Sequence, residues 1–260
     1  MWTHKAWPAP QGLSSYAEHC TAVEGNTTFY AVPARETVAS WARQTGPDFR
    51  FVVKIPRVVT HERRLTDVTA EMRAFLDAIA PLGPRAHALW IQLPGSFGPA
   101  DLDVLARFLR RLPREHRYAV EVRHRDFFDH PQGLEEVLAS VDAEWVPFDT
   151  TAFFAALPVN EDERDAWAKK PRMPLRTRAL TDRPIVRYLG RTDPAATRAG
   201  WQRWVGITAG WLREGRSPTV FVHTPDNIEA LSLAREFHAE VRARVPGLAP
   251  LPDPVPVTLF

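Results

Sequence analysis

Seven times along the chain a short apolar run ends in one polar or charged side chain: Val23-Glu24, Val53-Lys54, Ile91-Gln92, Val120-Glu121, Phe148-Asp149, Val186-Arg187 and Val222-His223. Successive ends lie 28 to 38 residues apart, which is room for one strand, one loop, one helix and a return loop per unit. The runs Phe51-Val52-Val53, Ala88-Leu89-Trp90-Ile91, Tyr118-Ala119-Val120 and Val220-Phe221-Val222 are apolar without alternation, so both faces are expected to be buried. Buried parallel strands recurring at this period predict an α/β chain of the TIM-type (β/α) barrel class. The polar strand ends are then its functional rim.

Between these runs lie helical patterns. Met72, Phe75, Leu76 and Ile79 form one apolar stripe that stops at Pro81-Leu82-Gly83-Pro84. A second helix is predicted to open at Gly98-Pro99, to carry Leu102, Leu105, Phe108 and Leu109, and to stop at Pro113. A third spans Pro194 to Arg213 and a fourth runs from Asp226 through Leu231 and Phe237 to Val245.

A chain of 260 residues with 45% hydrophobic content fits one barrel domain, with a Pro-rich tail over 246–260 packed on or beside it. The single cysteine, Cys20, makes no internal disulfide, and a reducing cytoplasm is the expected compartment; its expected role is that of a small buried residue. Neither a signal peptide nor an apolar run long enough to span a bilayer is predicted. A net charge of +2 singles out no partner, and the basic stretch Arg107 to Arg117 reads as a solvated helix end rather than a nucleic-acid patch. Trp90 falls in a predicted strand and Trp201, Trp204 and Trp211 recur on one helix, which is core packing. Oligomeric state is left open.

The predicted ring carries Glu24, Lys54, Gln92, Glu121, Asp149, Arg187 and His223, with Asn26, Arg123, His124, Asp226 and Asn227 just beyond. Structural ion pairs such as Glu24 with Lys54 or Glu121 with Arg187 are one explanation. Such pairs are costly to desolvate, so a polar ligand is the stronger one. Glu24, Glu121, Asp149 and His223 offer four metal ligands, but Lys54, Arg123 and Arg187 repel a divalent ion and attract a phosphate or carboxylate. Glycoside hydrolysis pairs two carboxyl groups, and the fourth and seventh strand ends of an eight-stranded count are here Gln92 and Arg187. Gly95-Ser96-Phe97-Gly98 lacks the spacing of a serine nucleophile elbow. General acid–base chemistry on a small anionic substrate fits best, with Glu24, Glu121 and Lys54 as the catalytic candidates. Asn26, His61, Gln92, Arg123, His124, Asp149, Arg187, His223 and Asn227 are the substrate-binding candidates. No cofactor is predicted. The alternatives are a metal-dependent phosphodiester-cleaving barrel and a non-catalytic ligand-binding protein using the same mouth.

The blocks around these strand ends resemble a family. Glu24-Gly25-Asn26-Thr27-Thr28-Phe29-Tyr30 with Val32-Pro33 is similar to the "VE-x-N-S/T-TFY-x-x-P" signature of the YecE-like family, a domain of unknown function. Phe49-Arg50-Phe51-Val52-Val53-Lys54 with Thr60-His61, Ile91-Gln92-Leu93-Pro94-Gly95-Ser96-Phe97, Tyr118-Ala119-Val120-Glu121-Val122-Arg123-His124 and Val186-Arg187-Tyr188-Leu189-Gly190 resemble its later blocks in the same order. The resemblance covers nearly the whole chain and implies a TIM-type barrel with a rim at Glu24, Asn26, Lys54, His61, Gln92, Glu121, Arg123, His124 and Arg187. It implies no reaction.

Three departures stand out. Leu189 occupies a position where many members have histidine, and Phe221-Val222-His223-Thr224-Pro225-Asp226-Asn227 replaces an asparagine-rich ending. Members usually open on a glycine-rich strand of the type "IGTSGW", whereas Met1-Trp2-Thr3-His4-Lys5-Ala6-Trp7 resembles the segment just after that strand. The first barrel strand is therefore expected to be truncated or missing, with the tail Val255 to Phe260 covering the open seam. The polar stretch between Thr150 and Pro184 is read as a lid over substrate or a solvated excursion.

Overall fold

The structure, a computed structural model, describes residues 12–251. It is a mixed α/β fold with two parallel sheets. The first runs β1 (Ala22–Gly25), β2 (Arg50–Lys54), β3 (Ala86–Gln92), β4 (Tyr118–Glu121) and β5 (Glu144–Trp145), each paired with the next in sequence order. The second runs β6 (Phe148–Asp149), β7 (Ile185–Leu189) and β8 (Thr219–His223). The two sheets are joined by the short run from β5 into β6, where Val146 N still donates to Val120 O and Pro147 O already accepts from Arg187 N. Pro147 has no N–H to offer, which leaves the ladder interrupted there.

The helices between strands are α1 (Gly12–Ala17), α2 (Thr27–Tyr30), α3 (Arg35–Arg43), α4 (Thr69–Ile79), α5 (Leu102–Arg111), α6 (Asp126–Asp129), α7 (Gln132–Ala139), α8 (Glu161–Lys169), α9 (Pro194–Arg213) and α10 (Ala230–Arg244). The predicted stripe on α4 is buried at Met72, Phe75 and Ile79, and α9 occupies the predicted span, with Asp193 capping its first turn through Ala195 N and Ala196 N. The helix after β8 starts later than the sequence pattern suggests. Asp226 accepts from Thr224 Oγ1 and Ile228 N, and Asn227 has a φ of 56°, so residues 224–229 form a turn and α10 begins at Ala230.

Side-chain alternation divides each strand between two cores. Phe51, Val53, Leu89, Ile91 and Val120 pack outward against helices, and Val186, Tyr188 and Val222 pack outward against Trp201, Trp204 and Phe237. Gly200 lets α9 approach β7 closely, since a Cβ there would lie 2.4 Å from the Tyr188 hydroxyl. Val52, Ala88, Trp90, Ala119, Val146, Ile185 and Phe221 turn inward into one shared cluster, in which Trp90 stacks on Phe221 at 6.2 Å. Residues of both sheets therefore enclose one interior.

Among the described residues no strand stands between β8 and β1, and each pairs on one side only. Arg50, at the foot of β2, reaches across below this gap to Thr219 Oγ1 at 3.0 Å and to Ser217 Oγ at 2.5 Å. The expected cover from Val255 to Phe260 and the opening residues Met1 to Trp7 lie outside the described residues.

Candidate functional site

The inward side chains at the C-terminal ends of six strands meet at one point. Glu24 from β1 lies at its centre: Lys54 Nζ from β2 is 2.7 Å from Oε1, Arg187 Nη2 from β7 is 3.5 Å from the same oxygen, and His223 Nε2 from β8 is 2.8 Å from Oε2. Lys54 Nζ also donates to Gln92 Oε1 from β3 at 3.0 Å. Glu121 from β4 accepts from Arg123 Nε at 2.8 Å on Oε1 and faces Arg187 Nη1 at 3.6 Å on Oε2. Trp90 forms the floor, with Lys54 Nζ 4.7 Å and the Arg187 guanidinium 5.7 Å from its ring.

Local sequence explains this geometry. Thr28 Oγ1 lies 2.8 Å from Gly25 O and 2.7 Å from Lys54 O, so the short helix α2 links the ends of β1 and β2 and holds Glu24 beside Lys54. Phe29 from α2 packs edge-on against the His61 ring at 5.1 Å. His61 stands on the π-helical turn Val58–Glu62 at the edge of the cluster, paired with Thr60 Oγ1 at 2.9 Å.

Charge and burial set the protonation states. The charges of Arg187 and Lys54, with the hydrogen bond from His223, hold the Glu24 carboxyl well below the usual range, overcoming the opposing effect of its burial. Arg123 and Arg187 lower Glu121 in the same way against its burial. Both stay ionised at neutral pH, so in the resting site each is a base and not an acid. Burial, reinforced by Arg187, brings Lys54 down to about 8 despite the pull of Glu24. Burial lowers His223 even with Glu24 against it, and burial with Arg123 and Arg57 takes His61 to about 4, so both imidazoles are neutral at pH 7.

Two predicted residues face elsewhere. Asp149 points outward: Oδ2 accepts from Trp204 Nε1 of α9 at 2.6 Å and Oδ1 accepts from Thr151 N and Oγ1. Its neighbour Phe148 takes the inward place, 4.4 Å from the Arg187 guanidinium and 5.8 Å from that of Arg123. His124 lies in the loop after β4, accepting from Asp126 N at 3.3 Å and packing on Phe127. Asn26 and Asn227 line the cleft. The metal alternative loses its ligand set, because Asp149 is turned away and cations lie between Glu24 and Glu121. Among the described residues no group of three or more His, Cys, Asp or Glu side chains is placed to hold a metal ion.

The structure adds residues that the strand-end reasoning passes over. Lys170, just after α8, lines the same cleft, and burial together with Arg187 and Arg123 lowers its pKa. It is one of four lysines in a chain whose other cations are arginine, a signal present in the sequence. Tyr30, 78% exposed, lines the cleft beside Asn26. The cleft, about 970 Å³, runs from the cluster down the gap between β1 and β8, past Cys20 and Phe237. Cys20 follows α1 and is half-buried rather than buried, and burial pushes its thiol up to about 11.

Sequence comparison accounts for the order of the blocks that build this site. The family model described as "Protein of unknown function DUF72" matches residues 1–256. The chain belongs to DUF72. Among curated DUF72 relatives, the UPF0759 protein YecE of Escherichia coli O157:H7 and that of strain K12 are each 36% identical over 257 residues, covering 97% of this chain and 94% of theirs. The fold is also that of solved DUF72 structures. One from Enterococcus faecalis V583 superposes with a TM-score of 0.63 at 19% identity, covering 94% of this chain and 92% of that one. Another from Thermotoga maritima MSB8 superposes with a TM-score of 0.61 at 22% identity, covering 83% and 84%. No helix among the described residues is long and apolar enough to cross a membrane.

Proposed function

We propose that this DUF72 chain is one TIM-type barrel domain which binds a small phosphate- or carboxylate-bearing molecule in its mouth and performs general acid–base chemistry on it. The observation that carries the reading is the state of Arg187. Its guanidinium is buried yet donates no hydrogen bond to any described residue; the nearest carboxylate oxygens are 3.5 and 3.6 Å away, and its Nε has no partner. Buried donors left in that condition are costly unless a ligand satisfies them. A bidentate oxyanion matches a free guanidinium edge.

The charge balance supports the same ligand. Among the described residues, Lys54, Arg123, Lys170 and Arg187 interact with Glu24 and Glu121, and the two imidazoles are neutral. An anion of charge near −2 neutralises the cluster. The proton-moving unit is then the Glu24–His223 pair: the carboxylate accepts from Nε2, which leaves the Nδ1 lone pair free to act as a base.

The test is thermal shift and calorimetry with orthophosphate, phosphorylated sugars, nucleotides and organic acids. Arg187→Met is expected to weaken the best anion by about 10- to 100-fold, the equivalent of one or two charge-assisted hydrogen bonds. No response to any of these anions in the parent protein overturns the reading.

A further inference from the structure

We infer that Lys54 is a nucleophile that forms an imine with a small aldehyde or ketone bearing a phosphate or carboxylate group. This rests on the anion-binding reading of the mouth and names the reacting part of the ligand.

The first observation is the choice of residue. Basic side chains in this chain are arginine except at Lys5, Lys54, Lys169 and Lys170. A buried ion pair to a carboxylate is held better by the planar fork of arginine, whereas only a primary amine can condense with a carbonyl. Lys54 is the buried lysine among those described, 3% exposed, and it still lines the cleft.

The second observation is what surrounds the amine. Nζ sits between Glu24 Oε1 and Gln92 Oε1 above the face of Trp90, with Arg187 Nη2 3.5 Å from the same carboxylate oxygen. A desolvated amine beside a second cation is the environment that makes lysine nucleophilic. Burial and Arg187 bring it down to about 8, so a usable fraction is neutral near pH 7 to 8. Arg187, Arg123 and Lys170 are placed to hold the anionic end of the same molecule.

The reaction closes without redox change. The nitrogen lone pair adds to the carbonyl carbon as the C=O π pair moves to oxygen. Both N–H protons end on that oxygen, which leaves as water while C=N forms. Glu24 Oε1, at 2.7 Å, takes the proton from nitrogen and returns it to the departing hydroxyl. Glu24 Oε2 is coupled to His223, which buffers the transfer.

The probes are glyoxylate and pyridoxal 5′-phosphate, incubated with the intact protein at pH 8, reduced with cyanoborohydride and mapped by peptide mass. Exposure alone puts Lys169 first, because it is exposed while Lys170 is half-buried and Lys54 buried. The inference expects the opposite order, with at least about tenfold more reduced adduct on Lys54 than on Lys169 and suppression by orthophosphate. Lys54→Arg, which keeps the charge beside Glu24, should abolish that adduct. Labelling that follows exposure, with Lys54 unmodified while orthophosphate still stabilises the protein, overturns the imine and leaves the anion site standing. Absence of both the adduct and the orthophosphate shift overturns both. The parent protein alone decides these outcomes, so a poorly folding variant does not block the test.

Discussion

Glu24 holds together groups from three other strands with two oxygens: Lys54, Arg187 and His223. Glu24→Gln keeps the shape and removes the charge, leaving two buried cations facing an amide. Breaking a buried ion pair from one side costs about 3–5 kcal/mol. Because its folded carboxyl titrates below the unfolded value, this contribution is fully present above about pH 4.3 and is lost as pH falls through the lower, folded value. Urea denaturation of the parent and the variant is therefore expected to differ most near pH 7 and to converge in acid. A gap that stays constant down to pH 3 would show that packing, not charge, is what Glu24 supplies. The neighbouring carboxylate, Glu121, remains with Arg123 and does not replace it, since its nearer contact is on the other side of the ring.

The segment between β6 and β7 bears on the site as an element. Read from the sequence as a lid or a solvated excursion, it is tied down at both ends. Arg191, just past β7, donates to Ala156 O at 2.7 Å, Leu157 O at 2.8 Å and Glu163 Oε2 at 2.5 Å, while Glu163 also accepts from Thr192 N and Oγ1. Thr150 Oγ1 lies 3.1 Å from Pro171 O and 3.0 Å from Met173 N, which fixes the far end. Lys170 reaches the mouth because both ends are tied. Arg191→Ala is expected to speed tryptic cleavage at Lys169 and hydrogen exchange over 161–173, and to weaken anion binding by several-fold through Lys170. Unchanged proteolysis would mean that the clamp contributes little. This element is hard to read from sequence because its charged run Asn160 to Asp165 is a helix start, with Asn160 Oδ1 accepting from Glu163 N, and its buried acid is invisible without a partner almost 30 residues on. Asp149 departs from the strand-end pattern for a related reason. Counting strand ends assigns it inward, but the pleat is set by Phe148 facing Arg187, and a shift of one residue reverses the face. The ends of β1, β2, β3, β4, β7 and β8 are legible because each apolar run stops where its inward residue becomes polar.

At the scale of the molecule, the described residues join the two sheets well at one side and poorly at the other. Between β5 and β6 the chain itself is the link, but between β8 and β1 the described residues contribute side chains only. At the top, His223 and Arg187 reach Glu24 across the gap; at the bottom, Arg50 does the same work from β2 to the foot of β8. Its guanidinium also faces the carbonyls of Ser217 and Pro218 at 3.4 and 3.3 Å, so one side chain supplies the contacts that a strand ladder would otherwise provide. Hydrogen bonds from a charged donor are worth about 1.5–3 kcal/mol each when their partners are left buried, and less when water can enter. Ser217 and Pro218 border the cleft, so Arg50→Ala is expected to destabilise by about 2–3 kcal/mol in urea denaturation, below the sum of its bonds. The loss should be local before it is global. Hydrogen exchange is expected to rise first in β8 and α10, while β2 to β4, which pair on both sides, keep their protection. A uniform rise across both sheets would instead mean that the gap is no weaker than the rest of the fold.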